Sequence, residues 1–263
     1  MNKAVYTVEK INEKTFRIDE CKRDNCYLLL GDERALLIDC SIGTGNIRAL
    51  IGTLTDLPVT VAVTHAHGDH AGAGYQFDEI YIPEEECNRS FKIINARRYR
   101  RELISNTMKS NGISEKNIDG SIFKTKWIPF GEDAVFELGN RKITVMKTPG
   151  HSPGGVVFLD HTMKMMFTGD NVDPVLLMKV YKSLTLEEWL PGARKTYELS
   201  KTYEPWCGHA DGRQSSEQIG RLIEFVEKII EENPTNSKRG EKAYYPEFST
   251  KGCVIYDTAK IHK

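Results

Sequence analysis

Seven residues restrict this chain more than any others: Thr64-His65-Ala66-His67-Gly68-Asp69-His70. They put three imidazoles and a carboxylate into six successive positions, although the whole chain holds only seven histidines. Imidazole nitrogen and carboxylate oxygen suit zinc, and they also accept iron or manganese. The β-branched run at 59–64 reads as a short buried strand that ends at His65. The cluster therefore falls on a loop at the carboxyl end of a strand, where α/β folds present their functional groups. Ala66 and Gly68 alternate with the candidate ligands. Such small residues let the backbone bend tightly enough for one loop to serve two ions. The bland alternative is a polar turn that happens to collect histidines, and the density of the cluster disfavours it.

Three more residues complete a set. His151 lies in Thr148-Pro149-Gly150-His151-Ser152-Pro153-Gly154-Gly155, Asp170 in Phe167-Thr168-Gly169-Asp170, and His209 in Trp206-Cys207-Gly208-His209. Singly each has a plain reading: a turn histidine, a strand-end aspartate, a capping histidine. Together they repeat one arrangement, a polar ligand where an apolar run meets a loop. His161 and His262 read as ordinary surface histidines.

Composition excludes several classes. Lysine and arginine total 36 against 37 acidic residues, so no strong field favours nucleic acid. Hydrophobic residues make up 40% of the 263, a globular composition. No stretch is long and apolar enough for a membrane helix. The first ten residues lack the apolar core of a secretory signal, so the expectation is a cytoplasmic protein. The six cysteines form no CxxC pair and read as reduced thiols.

The remaining patterns place the elements. A hairpin is expected from runs at 25–30 and 35–39, joined by Gly31-Asp32-Glu33-Arg34, followed by a helix near 45–54. Residues 84–111, opened by Glu84-Glu85-Glu86, predict a helical insertion carrying Lys92, Arg97, Arg98, Arg100 and Arg101. A solvated face is the plain reading of those cations; a lid over an anionic substrate is the sharper one. Strands are expected at 125–129, 134–138, 143–148, 156–160 and 163–168. Helices are expected near 185–200, where Thr185 and Glu188 form a capping-box pattern, and near 214–233. The order implies two mixed sheets with helices outside. It also implies a single domain over 1–263 with a C-terminal extension near 234–263.

HxHxDH, then GHSPGG, TGD and GH in that order, resembles the metallo-β-lactamase-fold hydrolases, over roughly residues 20–215. The resemblance implies an α/β, four-layer αββα sandwich. It implies that His65, His67 and His151 bind a first metal, that Asp69, His70 and His209 bind a second, and that Asp170 bridges them. Two divalent ions, zinc foremost with iron or manganese as alternatives, would then share a hydroxide that attacks a carbonyl. Asp69 would also orient that hydroxide and take its proton. A formally positive site should attract a small-molecule substrate with an anionic or acyl group. A thiolate or alkoxide leaves without a protein acid, which favours thioesters, esters or lactones over amides.

The bridging aspartate resembles the hydroxyacylglutathione hydrolase and lactonase branch. The familiar zinc β-lactamases lack it and use a cysteine at the second metal. The chain departs from both members of that branch. The glutathione enzymes place a tyrosine two residues after the last histidine, where this chain has Asp211. The lactonases place one shortly after the bridging aspartate, where this chain has Asp173-Pro174. Val175-Leu176-Leu177-Met178 reads equally as an acyl-pocket lining or as core. Alternatives on the same ligand set are a phosphodiesterase, an iron redox enzyme or a metal-bearing sensor.

Overall fold

The computed structural model describes residues 5–87, 102, 104–107, 109, 125–180, 182–232, 241–244, 252–257 and 261–262. The chain forms two compact units, Met1–Ile143 and Thr144–Lys263.

The first unit is built on a seven-stranded sheet whose spatial order follows the chain. Its strands and helices are β1 (Tyr6–Asn12), β2 (Thr15–Glu20), β3 (Asp24–Leu30), β4 (Ala35–Ile38), α1 (Ile47–Ile51), β5 (Val59–Ala62), α2 (Gly68–Ala71), β6 (Glu79–Pro83) and β7 (Lys126–Phe130), with a 3-10 turn at Gly72–Gln76. β1 to β4 run antiparallel, and β4 to β7 run parallel. β3 and β4 are buried on both faces, which is why they read as unbroken apolar runs rather than alternating ones. Leu28, Leu37, Val61, Ile80 and Ile82 form one core with Ile47 and Ile51 of α1. Each such side chain contributes about 1.5–3 kcal/mol of burial. A short strand β8 (Val135–Glu137) follows. A Cβ on Gly31 would sit 1.9 Å from the carbonyl oxygen of Leu138, so the β3–β4 turn passes that backbone only as glycine.

The second unit contains the strand order β13-β11-β10-β9. Here β9 is Lys142–Lys147, β10 Val156–Asp160, β11 Met165–Gly169, β12 Val175–Leu177, α3 Leu186–Ser200, β13 Glu204–Cys207, α4 Ser216–Glu232, β14 Glu241–Tyr244 and β15 Cys253–Tyr256. β11 pairs antiparallel with β10 and parallel with β13. A separate three-stranded sheet has the order β12-β15-β14. The core gathers around fully buried Trp189 of α3, with Val157, Met166, Leu176, Met178, Leu222, Val226 and Val254.

The two mixed sheets with flanking helices match the expected architecture. The hairpin β3–β4 stands, and the capping box of α3 is complete: Glu188 N–H donates to Thr185 Oγ1, and Thr185 N–H to Glu188 Oε2. Three expectations change. Glu84-Glu85-Glu86 make a turn rather than a helix start, because Glu86 N and Cys87 N close back on Pro83 O. Residues 88–101, with the inserted cations, lie outside the described residues, while the described residues 102, 104–107 and 109 of the expected insertion are helical. Within the C-terminal extension expected near 234–263, β15 pairs in parallel with β12, Val175↔Cys253 to Leu177↔Ile255. Leu176 and Met178 are core, not pocket. His161 is not loose on the surface either; it bonds Thr144 Oγ1 at 2.7 Å and Tyr203 Oη at 2.9 Å. All six cysteines are free thiols, and no described helix is long and apolar enough to cross a membrane.

One buried carboxylate shapes the loop after β4. Glu20 accepts N–H bonds from Ile42 (2.9 Å), Gly43 (3.2 Å) and Thr44 (2.6 Å), and a short bond from the Thr44 hydroxyl. Burial raises its pKa while these donors pull it back. Glu20→Gln would turn an amide N–H₂ toward that ring of donors. It should lower stability by about 1–3 kcal/mol, read as a lower urea midpoint at unchanged slope.

Candidate metal-binding site

The first unit holds four of the seven sequence candidates. β5 ends at Ala62, and Thr64 to Asp69 form the loop and the first turn of α2. His65 and His70 are buried, while His67 and Asp69 are half-buried. Asp39, which sequence reasoning passed over, organises them. Its carboxylate accepts Thr64 N at 2.7 Å and the Thr64 hydroxyl at 2.9 Å, and it lies 2.9 Å from His70 Nδ1. A carboxylate can only accept here, so His70 Nδ1 carries the proton and Nε2 keeps its lone pair. The Thr64 hydroxyl spends its one hydrogen on Asp39. Its oxygen, 3.0 Å from His65 Nδ1, must therefore accept, and His65 Nε2 is left with a lone pair as well. His65 Nε2 faces His67 Nδ1 at 3.0 Å. Two tetrahedral zinc ligands at about 2.0–2.1 Å from the ion lie roughly 3.3 Å apart, so this pair fits one cation.

Two further residues support the loop. Ala66 N donates to Glu86 Oε2 at 3.3 Å, which ties the His65–His67 segment to the turn after β6. Arg23 stands 3.7 Å from Asp69 Oδ2, 3.2 Å from Asp24 Oδ1 and 3.3 Å from Thr107 Oγ1. The turn that carries it has Cys21 (φ 59°) and Lys22 (φ 58°) in the left-handed region. Asp39 (φ 60°) and Ser41 (φ 61°) are left-handed as well, at a cost of about 1–2 kcal/mol each.

The second unit brings together the other three candidates. His151 Nε2 lies 3.3 Å from Asp170 Oδ2, and His209 Nε2 lies 3.2 Å from the same oxygen. One carboxylate oxygen thus sits between two imidazoles, as a ligand shared by two ions would. His151 Nδ1 donates to Leu177 O at 2.7 Å, which again reserves Nε2. The register of β11 against β13 slips between Phe167 and Gly169. This bulge at the strand end, with Gly169 at φ 51°, re-aims the chain at Asp170. Gly208 N bonds Gly169 O at 2.9 Å, so the loops bearing Asp170 and His209 are stitched directly.

Asp173, read from sequence only as a departure, belongs to this cluster. Ligand atoms of Asp170, Asp173 and His209 all lie within 4.8 Å of one another. Burial pushes the Asp173 carboxyl up to about 6, with His209 opposing and Asp170 adding to the rise. Burial also holds the Cys207 thiol well above its usual range; a neutral thiol that donates to His209 O at 3.3 Å is no nucleophile. Asp211 is exposed.

Trp189 ties the His151 and Asp170 loops to α3. Its Nε1–H donates to Asn171 O at 2.6 Å. Its ring fills the space beside Gly150, where a Cβ would meet Trp189 Cδ1 at 2.5 Å. Sequence could have flagged Asp39 as a charge closing a wholly apolar strand. No local signal marks Trp189 as the residue behind two loops. Trp189→Phe keeps most of the volume but leaves Asn171 O without its donor, and should cost about 1–3 kcal/mol in thermal or urea unfolding.

A model of the metallo-beta-lactamase superfamily matches residues 21–173, more than half the chain. The human acyl-coenzyme A thioesterase MBLAC2 is 28% identical over 186 residues, covering 65% of this chain and 63% of that protein. The hydroxyacylglutathione hydrolase GloC of Haemophilus influenzae is 29% identical over 157 residues, covering 56% of this chain and 66% of that protein. The chain thus spans less than two thirds of the length of these curated relatives. Among solved structures, a metallo-beta-lactamase from Pontibacter korlensis superposes with a TM-score of 0.58 at 18% identity, over 83% of this chain and 99% of that one. With two mixed sheets, flanking helices and a family match across most of both ligand-bearing regions, the chain belongs to the metallo-beta-lactamase superfamily.

Proposed function

We propose that this chain is a dinuclear metal-dependent hydrolase of carbonyl substrates, with thioesters first and esters or lactones next. In this reading His65, His67 and His151 hold one ion, Asp69, His70 and His209 hold the other, and Asp170 bridges. The observation that carries it is the proton inventory. His65, His70 and His151 each give one N–H to a protein acceptor, at Thr64, Asp39 and Leu177. Each therefore keeps an Nε2 lone pair for a cation, the arrangement that second partners impose on metal-bound histidines.

When bound, the ions would supply Lewis acidity and lower the pKa of a water toward neutrality. Zinc suits the donors best, and iron or manganese are accepted by the same set. The chain's own residues do the rest. Asp69 is the general base and holds the attacking water in line. Arg23, 3.7 Å from Asp69 Oδ2, restrains the rotamer of that carboxylate. Asp39 keeps the proton on His70 Nδ1 throughout the cycle. No protein acid is needed for a thiolate, which leaves as an anion, whereas an amine would need one. The relatives' names point the same way: one is an acyl-coenzyme A thioesterase and another a hydroxyacylglutathione hydrolase. The partner is accordingly a small acyl-bearing molecule.

Metal analysis of purified protein should return close to two ions per chain, and one or none would sink the dinuclear reading. His67→Ala and Asp170→Ala should each abolish hydrolysis, with folding checked by circular dichroism. A panel of acyl-CoA, acylglutathione, lactone, β-lactam and bis(p-nitrophenyl) phosphate should show turnover on the thioesters; activity on the phosphodiester alone would make the chain a phosphodiesterase. Asp39→Ala should weaken zinc roughly 10–100-fold in chelator competition, because His70 then loses its fixed tautomer.

A further inference from the structure

Asp173 is a buried acid that the reading above does not use. It is 2% exposed. Its Oδ1 accepts Val175 N–H at 3.1 Å, while Oδ2 is buried with no hydrogen-bond partner. The Cys207 thiol, a weak donor, interacts with the Asp173 carboxyl and also lies 3.3 Å from His209 O. A carboxylate shut away from water with one amide and a weak thiol for donors is costly to hold charged unless a cation stands opposite it. Among the described residues the charged and polar groups that bear on Asp173 are His209, Asp170, the Val175 amide and Cys207, none of them a lysine or arginine. Two of the group's three oxygen- or nitrogen-bearing partners, Asp170 and His209, are themselves candidate ligands within 4.8 Å.

We propose that Asp173 is a further metal ligand, which places its Oδ2 on the ion that His209 serves, so that this ion takes two carboxylates and an imidazole from the second unit alone. The inference rests on the reading of the chain as a metal enzyme. It also refines it. A third carboxylate, beside Asp69 and Asp170, shifts the donor set of this ion further toward oxygen, which favours a harder ion such as manganese over zinc there. It adds a negative charge that cancels the formal positive surplus of the centre. Recognition of the substrate then rests less on an anionic group and more on the carbonyl itself. The residue does this from the position after the bridging aspartate where related lactonases carry a tyrosine.

The test compares full-length wild type, Asp173→Asn and Asp173→Ser, loaded separately with Mn²⁺, Zn²⁺ and Co²⁺. Asparagine keeps the acceptor for Val175 N–H and adds no charge; serine guards against a variant that fails to fold. Binding is read by calorimetry and metal analysis, and coordination by the visible absorption of the cobalt form. Wild type should bind two ions. The variants should keep one ion and bind the other more weakly, by at least the roughly 10–100-fold that loss of a supporting residue costs, with manganese losing more than zinc. Their cobalt bands should intensify as the coordination number falls. Two ions bound with unchanged affinity and spectrum in a folded variant would overturn the role of Asp173 and leave the metal-enzyme reading intact. Failure of wild type to bind any of the three ions would overturn both.

Discussion

An imidazole offers one nitrogen to a cation in a fixed direction when its other nitrogen is already committed, and the ligand-bearing loops of each unit meet that condition. Asp39 meets it for His70 directly and for His65 through the Thr64 hydroxyl. A main-chain carbonyl, Leu177 O, meets it for His151. Once those protons are assigned, the remaining lone pairs have fixed directions. The carboxylate of Asp170 is flanked by His151 and His209 at 3.3 and 3.2 Å, the geometry on which its proposed bridging role rests.

Holding buried charged groups in place is expensive, and both units show how it is done. In the first, two left-handed residues, Asp39 and Ser41, bend the chain after β4 so that the Asp39 carboxylate meets Thr64 and His70. Glu20 stabilises that bend by collecting the amides of residues 42–44. In the second, a bulge at the end of β11 and the indole of Trp189 hold the loops of Asp170 and His151. Strain is tolerated because the surrounding hydrogen bonds over-determine the conformation. The tail contributes too: β15 completes a small sheet with β12, the segment whose Leu177 carbonyl fixes His151.

Much of this was legible residue by residue. The apolar runs of β3, β4 and β10 announced buried strands because both faces of each are covered, so hydrophobicity is continuous. The capping box at Thr185 and Glu188 announced α3 because helix starts have a local chemistry. β1 was not legible as a strand, because most of it is exposed and its pairing with β2, not its own pattern, makes it one. β6 is five residues closed by a proline, too short for periodicity. The helix start expected at Glu84 failed because a proline-headed turn captured the same amides.

The candidate ligands themselves were determined by the sequence alone: three imidazoles and a carboxylate in six positions, then His151, Asp170 and His209 at strand ends. Their identity is a matter of side-chain chemistry, and chemistry is local. What only the tertiary structure decided is which nitrogen His65, His70 and His151 keep open, and that the Asp173 carboxylate lies within 4.8 Å of ligand atoms of Asp170 and His209. Those depend on Asp39, Leu177 and Val175, residues whose partners lie across the fold or on an adjacent backbone. A hydrogen bond over such a distance leaves no periodic trace in the chain.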